Sequence, residues 1–143
     1  MQIKQLSVFV ENKPGRLAEI TETLAAAGVD IRAISVADTS DFGILRLIVD
    51  KPNEAVLALK EAGMTVSLTD VIAVGIEDRP GSFAKAVRVL ADAGLTVEYM
   101  YAFISRDQGK AYIIVRADQG HAAGRVLKES GMEILTEEAL YHM

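Results

Sequence analysis

Glu11-Asn12-Lys13-Pro14-Gly15-Arg16-Leu17 returns later in the chain as Glu77-Asp78-Arg79-Pro80-Gly81-Ser82-Phe83, and the rest of the sequence is organised around that return. Three glycine-bearing landmarks recur at one spacing of 66 residues: Gly15 with Gly81, Gly28 with Gly94, and Gly43 with Gly109. Further on the register slips by two, and Leu59-Lys60-Glu61-Ala62-Gly63-Met64 returns as Leu127-Lys128-Glu129-Ser130-Gly131-Met132. A period of this length is a small domain and not a solenoid repeat. The boundaries follow as residues 1–68 and 69–143, with Ser67-Leu68-Thr69-Asp70 leaving almost no linker.

Each copy reads as β-α-β-β-α-β, the split ferredoxin-like unit of an α+β protein. In copy one, Leu6, Val8 and Val10 alternate along a strand over 3–10. Pro14 suits a first helical turn, where its missing N–H costs nothing. Leu17, Ile20, Leu24 and Ala27 then follow at helical spacing up to Gly28, a left-handed stop. Strands over 30–37 and 44–49 flank the turn Asp38-Thr39-Ser40-Asp41, a helix runs from Pro52 to Gly63, and a short strand covers 65–68. Copy two repeats the order: strand 71–76, helix 80–93, strands 96–104 and 111–115, helix 119–130, strand 133–135. Glu137-Glu138-Ala139-Leu140-Tyr141 adds a short terminal helix.

Composition excludes several classes. The 143 residues are 50% hydrophobic and 24% charged, an ordinary globular balance. A net charge of −5 with scattered basic residues argues against nucleic acid as a partner. No apolar run reaches the roughly 18 residues of a membrane span. The chain opens on a strand pattern and not a signal peptide, so the expected location is cytoplasmic. Without cysteine there is no disulfide, thiolate metal site or cysteine nucleophile. His121 and His142 have no second ligand at useful spacing, and no nucleophile elbow or paired acid–base motif occurs. No catalysis and no cofactor are expected.

The Pro-Gly junctions carry the chemistry. Backbone N–H groups at a helix N-terminus attract a carboxylate, and glycine lets a ligand come close. Asn12 and Asp78 offer acceptor oxygens for an ammonium group. The competing reading is that Asn12 and Asp78 only cap their helices. Tyr99, Tyr101 and Phe103 alternate where copy one has Ala33, Ser35 and Ala37; they either fill space or wall a ligand. Finally, Ile44, Arg46, Ile48 and Tyr112, Ile114, Arg116 form a largely apolar reverse face, which a solvated sheet would not carry. A homo-oligomer, a dimer with this face buried, is the expectation.

Asn12-Lys13-Pro14-Gly15-Arg16-Leu17 with Gly28-Val29-Asp30-Ile31, and Asp78-Arg79-Pro80-Gly81-Ser82-Phe83 with Gly94-Leu95-Thr96-Val97, resemble the ACT domain, a small-molecule-sensing module. With its Asp41-Phe42-Gly43-Ile44-Leu45-Arg46 and Glu98-Tyr99-Met100-Tyr101 segments, the whole chain is similar to stand-alone tandem ACT proteins. The resemblance implies one continuous eight-stranded antiparallel sheet, joined through the second strands, with the helices on one face. It also implies amino-acid sites at the seam. One would join Asn12, Gly15, Arg16 and Leu17 to Thr96 and Val97. The other would join Asp78, Gly81, Ser82 and Phe83 to Asp30 and Ile31, where two carboxylates would either hold an ammonium group or repel each other. The function implied is a regulatory, allosteric sensor of a free amino acid, acting on a partner enzyme of amino-acid metabolism. The alternative is a non-catalytic subunit that stabilises an enzyme complex by contact, with vestigial sites.

Overall fold

The computed structural model describes residues 2–38, 41–103 and 108–142. Thr39 and Ser40 of the expected turn, and Ile104 of the expected strand, lie outside them. Packing divides the chain into two units, Lys4–Thr69 and Asp70–Met143 with Met1–Ile3.

The first unit holds β1 (Ile3–Glu11), α1 (Arg16–Ala26), β2 (Ile31–Asp38), β3 (Phe42–Val49) and α2 (Pro52–Glu61). Next comes β4 (Thr65–Glu77), a single strand in which the unit boundary falls. The second unit continues with α3 (Ser82–Asp92), β5 (Val97–Ala102), β6 (Lys110–Ala117), α4 (Gly120–Glu129), β7 (Glu133–Ile134) and α5 (Glu137–Tyr141). The expected eight strands are therefore seven among the described residues. The cause is the missing linker: Ser67 to Asp70 contains no glycine or proline, and β-favouring residues flank it, so the last strand of one repeat runs straight into the first of the next.

In the first unit the antiparallel strand order is β2-β3-β1-β4; in the second it is β7-β4-β6-β5. These are the same order written for two repeats. The expected join through the second strands is not found: among the described residues β2 pairs only with β3 and β5 only with β6, each ending its unit's order with one edge open, and the continuous strand β4 is what the two repeats share.

Each unit has its own core where helices meet sheet. Leu6, Val8, Ile20, Leu24, Leu45, Leu47, Ala55 and Leu59 form the first. Ile72, Val74, Ala86, Leu90, Ile113, Val115, Ala123 and Leu127 stand at the matching positions of the second. The matching positions locate the register slip. Leu24 and Leu90 keep the spacing of 66, but Leu45 and Ile113 are already 68 apart. Glu11 faces Phe42 in the ladder, whereas Glu77 faces Lys110. The second repeat thus has two more residues between its second and third strands. Gly43 and Gly109 are not counterparts: Gly43 lies inside β3, while Gly109 sits in a turn with φ +79°.

The reverse face differs from expectation. Ile48, Tyr112 and Ile114 are at most 2% exposed within the chain itself, so no second subunit is needed to cover them. Tyr112 rests on Phe103, ring centroids 5.2 Å apart, which favours the space-filling reading of that aromatic. Ile44 does stay open, together with Phe9 and Phe42. No helix among the described residues is long and apolar enough to cross a membrane.

Candidate ligand-binding site

Pro14 does not start a helix. The Arg16 N–H donates to the Lys13 carbonyl (3.3 Å) and Gly15 has φ +86°, which makes Lys13-Pro14-Gly15-Arg16 a type II turn. Proline sets the second position and only glycine fits the third without strain. Arg79-Pro80-Gly81-Ser82 repeats it, with a 3.3 Å bond and φ +91° at Gly81. Each helix then begins immediately after its glycine, with no side-chain hydrogen bond capping it. Asn12 and Asp78 do not occupy the cap position. The first helical bond runs from the Glu19 N–H to the Gly15 carbonyl, 3.0 Å, leaving the N–H groups of Leu17 and Ala18 without intrahelical partners.

Beside the first turn lies a cavity of about 240 Å³, lined by Val10, Glu11, Asn12, Lys13, Leu17, Val36, Gly43 and Leu45. Its wall is apolar and its rim polar, the composition of a small-molecule site. It is smaller than the roughly 300–1,000 Å³ usual for larger ligands, so only a compact molecule fits. Leu17 and Val36, both in its lining, are 43% and 55% exposed. A Cβ at Gly15 would meet nothing within 4 Å, so the approach to the helix N-terminus is open.

Of the residues expected together, Asn12 and Leu17 share this cavity, and Gly15 forms the turn beside it. Arg16 lines a different hollow and pairs with Glu19 at 3.1 Å. Ile31 opens β2 opposite Val49 at the end of β3, with Asp30 just before it, five residues or more from Val36 along the chain. The Asp30 carboxylate is held by Arg32 at 3.3 Å, and its backbone N–H donates to Asp50. In the second unit the Thr96 N–H donates likewise to Asp118, 3.0 Å, and Val97 opens β5. Asp78 leaves β4 with its N–H on the Gly109 carbonyl, and Phe83 is 44% exposed on α3. Ser82, like Arg16, lines a separate hollow. Val36 and Gly43 are not marked by the sequence, because a valine in an alternating strand reads as core and the strand order that leaves β2 at an edge is a long-range fact.

Glu11 stands on the rim with a shifted carboxyl. Its hydrogen bond with Lys13, and then the charges of Lys13 and Arg16, hold the carboxyl below the usual glutamate range. A lowered value in the fold means the pair is intact above the unfolded-state pKa and is lost as pH falls through the folded one. Lys13→Ala should return the Glu11 midpoint toward that of a free side chain, as read by carboxyl NMR, with the fold unchanged at such an exposed position. An unmoved midpoint would show that Lys13 is not the cause.

Two βαββαβ units in one chain, each opened by the same turn, define a tandem ferredoxin-like α+β protein. The chain belongs to the ACT domain pair family, which matches residues 1–143. It is similar to protein BT0572 from Bacteroides thetaiotaomicron, with 39% identity over 100% of this chain and 98% of that one and a TM-score of 0.93. It also shares its fold with the regulatory subunits of aspartate kinase from Thermus thermophilus (22% identity, 89% and 91% covered, TM-score 0.66) and Thermus flavus (21%, 90% and 92%, 0.62). No curated protein matches the chain.

Proposed function

We propose that this protein is a regulatory sensor that binds a free amino acid at the Glu11–Leu17 junction. The observation that carries the reading is the cavity beside an uncapped helix N-terminus, reached past Gly15 and walled by Leu17 and Val36. The N–H groups of Leu17 and Ala18 suit the ligand's carboxylate. The oxygens of Asn12 and Glu11 suit its ammonium group, and the Leu17–Val36 wall suits a small apolar side chain. The seam residues Thr96 and Val97, and the second site of Asp78, Gly81, Ser82 and Phe83 with Asp30 and Ile31, belong to the same proposal. So does a homodimer, to which the open edges of β2 and β5 would lend themselves. The fold neighbours named as aspartate kinase subunits make a partner enzyme of amino-acid metabolism part of the reading, with the protein itself non-catalytic.

Calorimetry of the intact chain against the twenty amino acids is the test. One or more should bind, and Leu17→Asp should weaken binding at least about tenfold, roughly 1.4 kcal/mol. The introduced carboxylate would repel that of the ligand while remaining compatible with a helix's first turn. Binding by none, or equal binding by the variant, would refute the assignment. A second reading, an enzyme-complex subunit acting by contact alone, draws on the exposed stack of Phe9 on Phe42, 4.8 Å between centroids. It predicts tight partner capture with no amino-acid response.

A further inference from the structure

A hollow lies at matching places beside β1–α1 and β4–α3, and the two repeats have lined it differently. In the first unit it measures about 250 Å³ and is bordered by Phe9, Arg16, Glu19, Phe42 and Thr65. In the second it measures about 230 Å³, and the matching positions are Gly75, Ser82, Lys85, Lys110 and Glu133. The correspondence is fixed by the ladders, where Phe9 faces Ile44 as Gly75 faces Tyr112, and Glu11 faces Phe42 as Glu77 faces Lys110.

In the first unit the lining's one basic side chain is paired, and Glu11 adds a second acid. Arg16 pairs with Glu19 at 3.1 Å, and the Phe9–Phe42 stack forms an apolar border. In the second, three basic side chains meet two acidic ones. Arg79 pairs with Glu77 at 2.7 Å and Lys110 with Glu133 at 3.0 Å. Lys85, which stands where the first repeat has Glu19, has no ion pair among the described residues. The Ser130 hydroxyl donates to the Val126 carbonyl and cannot also donate to a guest, whereas that of Ser82 has no such bond among the described residues. A cavity with a surplus cation is notable on a chain of net charge −5, whose overall field repels anions.

We propose that this second-repeat hollow binds the oxyanion group, carboxylate or phosphate, of a small metabolite, with Lys85 and the Ser82 hydroxyl as its direct partners. Arg79 and Lys110 remain paired with Glu77 and Glu133, so the surplus charge is that of Lys85. The volume limits the guest to a compact molecule, below the roughly 300 Å³ at which larger-ligand pockets begin. The site shares Ser82 with the second amino-acid site proposed above and differs from it in needing no ammonium group, so a guest without one tells the two apart.

The experiment is an amide NMR titration of the intact chain with inorganic phosphate and, separately, with succinate, which lacks the ammonium group an amino-acid site would require. Ionic strength is held constant, because screening alone shifts the signals of exposed charges. Saturable shifts are expected at Ser82, Lys85 and Gly131 with at least one probe, and the probe that saturates identifies the head group. The matching amides of Arg16, Glu19 and Gly63 should stay still. Lys85→Glu, a change at an exposed position, should keep the spectrum of the fold and weaken the response at least tenfold; Lys85→Arg should retain it. Unsaturable shifts with both probes at millimolar concentration, or equal affinity in Lys85→Glu, would overturn the proposal.

Discussion

Leu24→Ala should lower stability by about 3 kcal/mol, and Leu90→Ala by about 2, within the range measured for leucine truncations in packed cores. Leu24 is fully buried, in one cluster with Leu6, Ile20, Leu47 and Leu59. Truncation removes its transfer free energy and leaves a void walled largely by branched side chains that cannot reach into it. Leu90 holds the matching place in the second repeat at 1% exposure, but Met100 and Met132 pack against that cluster, where Met64 alone does so in the first. Methionine is unbranched and can swing into a gap, so the second cavity should collapse further. Urea unfolding at unchanged slope would read the difference. A larger loss for Leu90→Ala would show that the methionines do not yield.

Much of the fold could be read from the chain alone, because two independent signals agree in both copies. The apolar periodicities of Leu17-Ile20-Leu24 and of Leu6-Val8-Val10 name the element types. The glycines at 28, 63, 94 and 131 all have positive φ and end the four long helices. Less legible was anything that depends on what a residue meets. Pro-Gly serves equally at a helix start and in a type II turn, and only the Lys13–Arg16 hydrogen bond separates the two. The register slip falls between the second and third strands, where no repeated motif marks it. Gly109 therefore aligned with Gly43 by sequence although their conformations differ. An apolar reverse face is visible in Ile48, Tyr112 and Ile114, but the pattern cannot say whether a second subunit or the same chain covers it.

The candidate site divides along the same line. Asn12 and Leu17 were legible because the loop's chemistry is local: a turn, an open glycine and an uncapped helix. Val36 and Gly43 reach the cavity only through the pairing of β2 with β3, a long-range fact. Arg16 and Ser82 are adjacent to the loop in sequence, yet one residue is about 100° around a helix. That rotation turns them into the second hollow and leaves Leu17 in the first.

Gly75→Phe should destabilise the protein by about 2 kcal/mol, the ordinary cost of overpacking, even though phenylalanine favours strands more than glycine does. A Cβ at Gly75 would lie 2.9 Å from the Glu133 Oε2 and 3.0 Å from the Tyr112 ring. Glu133 can swing outward and forfeit its exposed pair with Lys110, which is worth at most about 1 kcal/mol. Tyr112 cannot retreat, since it is 2% exposed and already rests on Phe103. The first repeat places its ring on the other strand and in the open. Phe9 stands at the Gly75 position, and Ile44 faces it where Tyr112 faces Gly75. The ring stands on the first strand in one copy and on the third in the other, and the Phe9–Ile44 pair is the bulkier of the two. Tyr112→Ile alone should also destabilise, by opening a void beside Phe103. In the double variant the new phenylalanine relieves its clash against the smaller isoleucine, and the loss should be at least 0.5 kcal/mol less than the sum of the two, the sign of coupled neighbours. Strictly additive losses would mean that residues 75 and 112 do not compete for one packing space.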